Sequence, residues 1–383
     1  MNLLLGISLW MVLINTACGS FEGSLVGHDQ PTTSQGAHDR TLVDRLRSMS
    51  DSFATTFYNQ LLATQPPNAN VFFSPFSIYA ALLMTYLGAQ GETRKELGGV
   101  LGLSQEEIVR TSTEPDFVNK QFLKFISDIF AGGSGNASAN NGGNYKLDFA
   151  NRLCVQDNMT IQPSFTELLK KFHNSDIKRY DFGTQAEAAR LDVNAWVGNV
   201  TRGKIANLLP PGTVDAQTFL ILVNAIYFKA NWMTQFEASA TQDAKFFTAG
   251  ADTFRQVRLM TTKRRVFYLY DKTLKAQIVE IPYQSEELSM VVMLPRALTG
   301  MEDLLAGLTA QKWKELQDRM DMALVELKLP RFRLETSYDL VGALSGLGAT
   351  HLFAGADLSG MLEAASSVTV SGVVHKAFVG KCC

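Results

Sequence analysis

The sequence predicts one mixed α+β domain that extends from about residue 41 to residue 383. The chain is long and 46% hydrophobic, so it can bury a large core. Strand-like apolar runs are more frequent in the second half than in the first, where helical periodicity is clear. Neither an internal repeat nor a linker divides the chain, which favours a single domain.

The N-terminal residues have the pattern of a secretory signal peptide. An apolar run from Leu3 to Ile14 is followed at 15–20 by small residues that suit a signal peptidase. No basic residue precedes the run, which leaves a retained anchor as the alternative, although the run is short for a membrane span. We expect a signal peptide at 1–18, a flexible polar leader at 19–40 and a secreted, extracellular protein.

Three sequons permit glycosylation of a secreted chain: Asn136, Asn158 and Asn199. The first lies in a Gly/Asn-rich segment, residues 131–144, that is typical of a flexible loop. The four cysteines do not suggest a disulfide framework, and Cys154 fits a small buried hydrophobic position.

The charge balance argues against nucleic acid and anionic membranes as partners, because both attract strongly basic proteins. The net charge of -2 and the pI near 6.2 give no long-range attraction to nucleic acid or anionic lipid. No later apolar run has the length of a membrane helix. The triplet Lys263-Arg264-Arg265 could contact a sulfated polysaccharide, but three basic residues are more often a solvated strand end. We expect no nucleic-acid partner and no membrane partner.

The sequence lacks the patterns of an enzyme or a cofactor site. The segment Gly198–Ile205 begins as G-x-x-x-x-G-K, but Ile205 stands where a P-loop needs Ser or Thr for magnesium, and a helix precedes it. The five histidines are dispersed without the spacing of a zinc site, and no G-x-S-x-G motif supplies a nucleophile. We expect no enzyme activity, no metal and no cofactor.

The first helices are predicted by apolar periodicity and by their end signals. Structure should start near Ser48, and a helix that ends before Pro66 buries a stripe of apolar residues: Met49, Phe53, Phe57 and Leu61. Ser74-Pro75 provides an N-cap and a first-turn proline for a second helix. The residues from Phe76 to Leu87 are apolar nearly all round, so this helix should be central and buried before Gly88 ends it.

Further helices are predicted along the chain. Thr93 and Glu96 predict a capping box for a short third helix. The other expected helices are Ala186 to Val200, Leu304 to Met320 and Tyr338 to Leu347.

Strands are predicted at 145–156 and mainly in the second half. Phe219 to Lys229 is a continuous apolar run, typical of a strand that is buried on both faces. Gln277–Tyr283 and Leu288–Leu294 flank four polar residues, as the strands of a hairpin do. From Leu324 to Leu329 apolar and polar residues alternate, which predicts a strand with one solvated face.

Several blocks of the chain, in order, resemble the serpins, the serine protease inhibitor superfamily. NVFFSPFSIYAALLMTYLGAQGETRKEL is similar to the family's most recognisable helical block, and LVNAIYFKANW is similar to its central strand. The resembling blocks lie at 70–97, 222–232, 281–295, 327–361 and 371–378. The resemblance covers roughly residues 45–379.

The resemblance implies a serpin fold with three β-sheets and about eight to nine helices, whose large sheet can accept one further strand. It also implies a mechanism in which a protease cleaves an exposed loop, becomes acylated and is carried across the molecule as the loop inserts. The implied partner is a serine protease or a cysteine protease.

The same resemblance assigns candidate site residues. Ser74, Ser77, Asn224 and His375 should form a polar cluster that governs opening of the sheet. Each lies in an apolar block, where an unpaired polar group is costly, so mutual hydrogen bonding is expected. Trp232 matches the aromatic residue beneath the end of the sheet where insertion begins. The alternative is that all five residues only pack.

The sequence departs from the family pattern after Phe378. The resemblance implies an acidic hinge and an exposed bait loop there, whereas Gly380-Lys381-Cys382-Cys383 follow and no reactive bond is assigned. We expect the last strands and the reactive loop to be missing, so a protease partner would require a longer form. The alternative is a non-inhibitory isoform that acts as a binding protein and takes the loop of another serpin as an added strand.

Overall fold

The computed structural model describes most of the chain. The described residues are 15–16, 34–66, 69–114, 120, 145–169, 175–250, 252–284, 288–363 and 367–380. Most of the predicted signal peptide and leader lies outside them, as do the segment with the Asn136 sequon and the residues from Lys381 to Cys383.

Nine α-helices occur in these ranges: α1 Ser34–Ala63, α2 Pro75–Gly88, α3 Gly91–Val100, α4 Gln105–Thr113, α5 Pro163–Leu169, α6 Phe182–Val200, α7 Met301–Gly307, α8 Ala310–Asp318 and α9 Val341–Gly346.

α1 ends before Pro66 as predicted, but it begins well before Ser48 and includes part of the predicted leader. α2 has its predicted ends, because the Ser77 amide donates to Ser74 Oγ at 3.2 Å and Pro75 is the first residue. Every residue from Ser77 to Gly88 is buried.

The predicted capping box at Thr93 and Glu96 is wrong. α3 begins two residues before Thr93 and has no side-chain cap. Both side chains accept hydrogen bonds from the segment 350–357 instead. The capping box of this region belongs to α4, where the Ser104 amide donates to Glu107 at 2.8 Å and the Glu107 amide donates to Ser104 Oγ at 3.3 Å.

Two later helices are shorter than predicted. The helix expected from Leu304 to Met320 is interrupted at Thr309, whose side chain accepts a hydrogen bond from the Lys312 amide at 3.1 Å and caps α8. The helix expected from Tyr338 to Leu347 loses its first residues to a strand, because Tyr338 and Asp339 pair with another strand of the central sheet.

Eleven strands occur in the described part of the chain: β1 Asn15–Thr16, β2 Tyr145–Gln156, β3 Ser175–Tyr180, β4 Leu220–Ala230, β5 Gln242–Gly250, β6 Thr253–Asp271, β7 Ala276–Pro282, β8 Leu288–Pro295, β9 Asp321–Pro330, β10 Leu334–Asp339 and β11 Val370–Val379. The predicted hairpin is formed by β7 and β8, and the alternating strand is β9. β4 is buried on both faces as predicted, with Lys229 as its exposed residue.

The central sheet contains five strands in the order β10-β11-β4-β2-β3. β4 and β11 are parallel and directly paired, from Leu220 with Val370 to Phe228 with Val379. β10 and β2 run antiparallel to their inner neighbours. We call the parallel ladder between β4 and β11 the seam.

The second sheet follows the order β1-β8-β7-β6-β5, with β9 also paired to β6. β6 has 19 residues and is long enough to pair with β5 along residues 253–259, with β9 along residues 259–268 and with β7 along its last five residues. The resemblance implies three sheets, and in the described residues this shared strand joins two of them into one hydrogen-bonded unit.

The central sheet is covered on both faces. On one face, Val223 and Ala225 of β4 pack with Val193 of α6. On the other face, Leu222 belongs to the core with α1 and α2, whereas Ile226 belongs to the core with the second sheet. Position 224 lies between these two apolar cores, so this point on β4 is where a polar side chain can meet the start of α2.

Candidate functional site

A row of polar residues crosses the central sheet at this boundary. In the strand ladders Tyr338 is the partner of His375, His375 is the partner of Asn224, and Asn224 is the partner of Asn151. The row therefore crosses the neighbouring strands β10, β11, β4 and β2. His375, Asn224 and Asn151 are at most 1% exposed, so their hydrogen bonds must come from the protein.

The side-chain amide of Asn224 is the centre of this arrangement. Its Oδ1 accepts hydrogen bonds from Ser77 Oγ at 3.0 Å and from His375 Nδ1. Its Nδ2 donates to the Ser77 carbonyl at 3.0 Å and to Asn151 Oδ1. An amide side chain has two donors and an oxygen with two lone pairs, so its capacity is filled. We call Ser74, Ser77, Asn151, Asn224 and His375 the polar cluster.

The hydrogen bonds of His375 fix its tautomer and its charge. The Ser74 amide donates to Nε2 at 3.2 Å, so the neutral ring carries its proton on Nδ1, which donates to Asn224. Burial lowers the pKa of His375 to about 3. Protonation of Nε2 would place a charge in the core and turn the acceptor for the Ser74 amide into a second donor.

The chain before α2 is tied to the same row. The Phe72 amide donates to the Tyr338 hydroxyl at 3.0 Å, and the Thr336 hydroxyl donates to the Phe72 carbonyl. Ser74 and Ser77 reach the row because α2 begins directly after Ser74. The structure thus joins α2 to β10, β11, β4 and β2 through one polar network.

Two members of this row, Asn151 and Tyr338, are not among the residues predicted from the sequence. Asn151 could have been found, because it is a polar residue in the buried run of β2, the same signal that marks Asn224 in β4. The sequence around Tyr338 predicts a helix, and a helix there would not place Tyr338 beside His375. The four predicted residues Ser74, Ser77, Asn224 and His375 lie together, and their role in sheet opening stays a prediction.

Trp232 lies apart from the polar cluster, just beyond the end of β4. It is 1% exposed, and its ring stacks on Tyr283 with centroids 4.7 Å apart and an interplanar angle of 6°. Phe236 contacts it edge to face. Trp232 Nε1 has no hydrogen-bond partner among the described residues. This aromatic group packs beside Phe228, which pairs with Val379 at the far end of the seam.

On the opposite face of the sheet, a second network holds α6 in place. The Arg152 guanidinium of β2 donates to Asp176 at 2.7 and 3.1 Å and to the Tyr180 hydroxyl at 3.0 Å, and lies 3.8 Å from the centre of the Trp196 ring. The Tyr180 hydroxyl donates to Asp192 at 2.8 Å. Because Asp192 and Trp196 belong to α6, this helix is attached to β2 and β3.

The remaining sequence features occupy the surface or the core. Asn158 is exposed in a turn after β2, and Asn199 is exposed near the end of α6. Cys154 is a buried free thiol. In the described part of the chain, His, Cys, Asp and Glu side chains form no group suited to a metal ion. None of the helices described there has the length and hydrophobicity to span a membrane.

Comparison with known proteins agrees with this geometry. The family model described as serpin (serine protease inhibitor) matches residues 48–380. The leukocyte elastase inhibitor of Sus scrofa is 37% identical over 344 residues, which cover 88% of this chain and 85% of the relative. Ipis-1 of Ixodes persulcatus is 38% identical over 331 residues, covering 86% and 82%.

A solved structure gives the same result for the fold. The crystal structure of uncleaved ovalbumin superposes with a TM-score of 0.77 at 28% identity and covers 87% of this chain and 88% of its own. The domain has a central five-stranded sheet, a parallel seam and a polar network across that sheet. This α+β fold is therefore one already known from solved structures. The chain belongs to the serpin family, whose members are protease inhibitors rather than enzymes.

Proposed function

We propose that this protein is a serine protease inhibitor whose central sheet opens at the seam to take up one strand. The observation that carries the proposal is the direct parallel pairing of β4 and β11, fastened at His375 and Asn224. A strand that enters between two parallel strands can run antiparallel to both and hydrogen-bond along both of its edges. Such an exchange replaces one ladder by two, which favours the opened sheet once a strand is available.

The polar cluster provides a barrier to this exchange. Separation of β4 from β11 breaks the bond between Asn224 and His375, and leaves buried polar groups unpaired until a new partner arrives. Burial of Trp232 and Tyr283 beside the Phe228–Val379 end of the seam adds an apolar barrier. A sheet that opens slowly would hold its free energy until a protease supplies the strand by cleavage.

The test of protease inhibition uses the protein that is expressed from a complementary DNA cloned from tissue. We expect that product to form an equimolar complex with an elastase-type serine protease that survives boiling in sodium dodecyl sulfate. A control reaction contains product whose seam has first been filled with a synthetic strand peptide, and this should give cleavage without a complex. Cleavage without a complex in both reactions would contradict the proposal.

A second candidate function is strand capture from another serpin. The seam needs only a free strand, so the donor can be a different molecule. Size-exclusion chromatography of this chain with a synthetic hinge-loop peptide of a serpin should show co-elution. Failure to co-elute at saturating peptide would rule out strand capture from another serpin. It would not rule out protease inhibition by a loop that belongs to the same chain.

We also propose that the protein is secreted and glycosylated. The support is the apolar run from Leu3 to Ile14 and the exposed sequons at Asn158 and Asn199. Expression in a eukaryotic cell should deliver the protein to the medium with a mass that falls after treatment with an N-glycosidase. Retention in the cell with an unprocessed N-terminus would contradict the proposal.

A further inference from the structure

One face of the β6–β9 ladder carries an apolar patch. In this ladder Phe267 is the partner of Met322, and Arg265 is the partner of Leu324, so the four side chains share a face. Phe267, Met322 and Leu324 are 41%, 47% and 62% exposed. A contiguous group of exposed apolar side chains is a candidate interaction surface.

Two cations without partners lie beside this patch. Lys263 and Arg265 are exposed on the same face of β6, and in the described part of the chain neither forms an ion pair or a hydrogen bond. Glu326 is the ladder partner of Lys263, but its carboxylate pairs with Lys328 at 3.2 Å. Lys263 and Arg265 are therefore free to pair with an external anion.

Arg264, the middle residue of the basic triplet, is excluded from this surface. Its side chain points to the other face of β6, where its guanidinium lies 4.8 Å from the centre of the Phe236 ring and donates to the Thr234 carbonyl. The basic triplet is thus divided by the alternation of the strand into one core-facing residue and two surface residues.

We propose that this face, defined by Lys263, Arg265, Phe267, Met322 and Leu324, binds an extended acidic segment of a partner polypeptide. Residues two apart on a strand are about 7 Å apart and point to the same side. An extended ligand with acidic side chains at two alternating positions, followed by an apolar side chain, matches the order of the cations and the apolar patch along β6. The proposal is independent of protease inhibition.

The composition of the face favours this ligand over two others. A sulfated polysaccharide would use the cations but would leave three exposed apolar side chains without a contact. A second copy of the chain, facing itself through this surface, would bring like charges together. An acidic and apolar peptide satisfies both parts of the surface.

The probe is a fluorescein-labelled peptide, Ser-Thr-Glu-Thr-Glu-Thr-Leu-Thr-Ser, and the measurement is fluorescence anisotropy with the complete chain. We expect saturable binding that weakens when salt is raised, since surface charge pairs are screened. A peptide with Lys in place of both Glu residues should not bind. Equal binding of the two peptides would overturn the proposal, as would binding of a heparin oligosaccharide when the acidic peptide does not bind.

Variants locate the binding on this face. The double variant K263Q/R265Q and the variant Leu324→Asn should each weaken peptide binding by about tenfold or more. Arg255→Gln changes an exposed cation of the same strand remote from the patch, and Leu298→Asn changes an exposed leucine elsewhere, so both controls should bind normally. Equal affinity of all four variants would overturn the proposal. Loss of a dimer in sedimentation of Leu324→Asn would assign the face to self-association instead.

Discussion

His375 Nδ1 donates a hydrogen bond to Asn224 Oδ1 across the seam, and the two residues are partners in the parallel ladder of β4 and β11. Asn224 also bonds to Ser77 at the start of α2. One buried side chain therefore holds together the two strands that must separate for a new strand to enter.

The charge state of His375 makes stability depend on pH. Its folded pKa of about 3 lies below the ordinary value of 6.5, so an unfolded chain binds one proton more between these values. The contribution of His375 to the free energy of unfolding is therefore complete above pH 6.5, and it is lost as the pH falls toward 3. We expect the free energy of unfolding to fall by up to about 1.4 kcal/mol per pH unit from this residue.

The measurement is urea unfolding of the wild type and of His375→Gln at several pH values between these limits. The variant is less stable at neutral pH, but its pH slope should be shallower than that of the wild type. Parallel slopes would show that His375 does not carry this dependence.

Asn224→Ala should lower stability and speed strand uptake. The change leaves the His375 and Ser77 groups buried without their partner, which costs about 2–4 kcal/mol. Asn199→Ala is the matched control at an exposed position and should change stability by less than about 0.5 kcal/mol. Urea unfolding and the rate of peptide-strand binding measure the two effects. Slower uptake in Asn224→Ala would argue against a fastening role.

Arg264→Met should stabilise the protein. Among the described residues, the buried Arg264 Nε and Nη2 atoms have no hydrogen-bond partner, and desolvation lowers the pKa of this guanidinium. Methionine keeps the aliphatic packing and removes a charge that the Thr234 carbonyl and the Phe236 ring compensate only in part, so a gain of about 1 kcal/mol is expected. Arg152→Met, whose guanidinium is paired with Asp176 and Tyr180, should instead lose about 2–4 kcal/mol. Equal losses in both variants would contradict this account.

Neighbouring glycines of α3 should respond differently to alanine. A Cβ at Gly98 would lie 2.7 Å from Ile108 atoms, whereas a Cβ at Gly99 would meet no atom of the described residues within 4 Å. Gly98→Ala should therefore cost about 1–3 kcal/mol through overpacking. Gly99→Ala should gain about 0.5–1 kcal/mol from helix propensity. The difference between their thermal midpoints tests the packing of α3 against α4.

The sequence predicted the elements whose signals are local. Ser74-Pro75 and an all-round apolar run identify α2, and the unbroken apolar run of β4 identifies a strand buried on both faces. The resemblance of the motifs to those of the family predicts that Ser74, Asn224 and His375 lie close together. These predictions depend on sequence patterns that the packed structure preserves.

Other features depend on contacts between distant segments. Glu96 fits a local capping box, but it bonds instead to residues 350–351, which lie far along the chain. Tyr338 has the sequence context of a helix, yet pairing with His375 draws it into β10. A polar residue in an apolar run marks Asn151 as a candidate, but its contact with Asn224 depends on the register of β2 on β4.

Strand uptake at the seam is the central claim, and thermal unfolding tests it most directly. The midpoint of the chain is measured before and after incubation with an extended, alanine-rich strand peptide, with a proline-substituted peptide as the control. We predict a rise of at least about 5 °C with the strand peptide and no change with the control, because a filled seam adds a second ladder to the central sheet. An unchanged midpoint at saturating strand peptide would contradict the account.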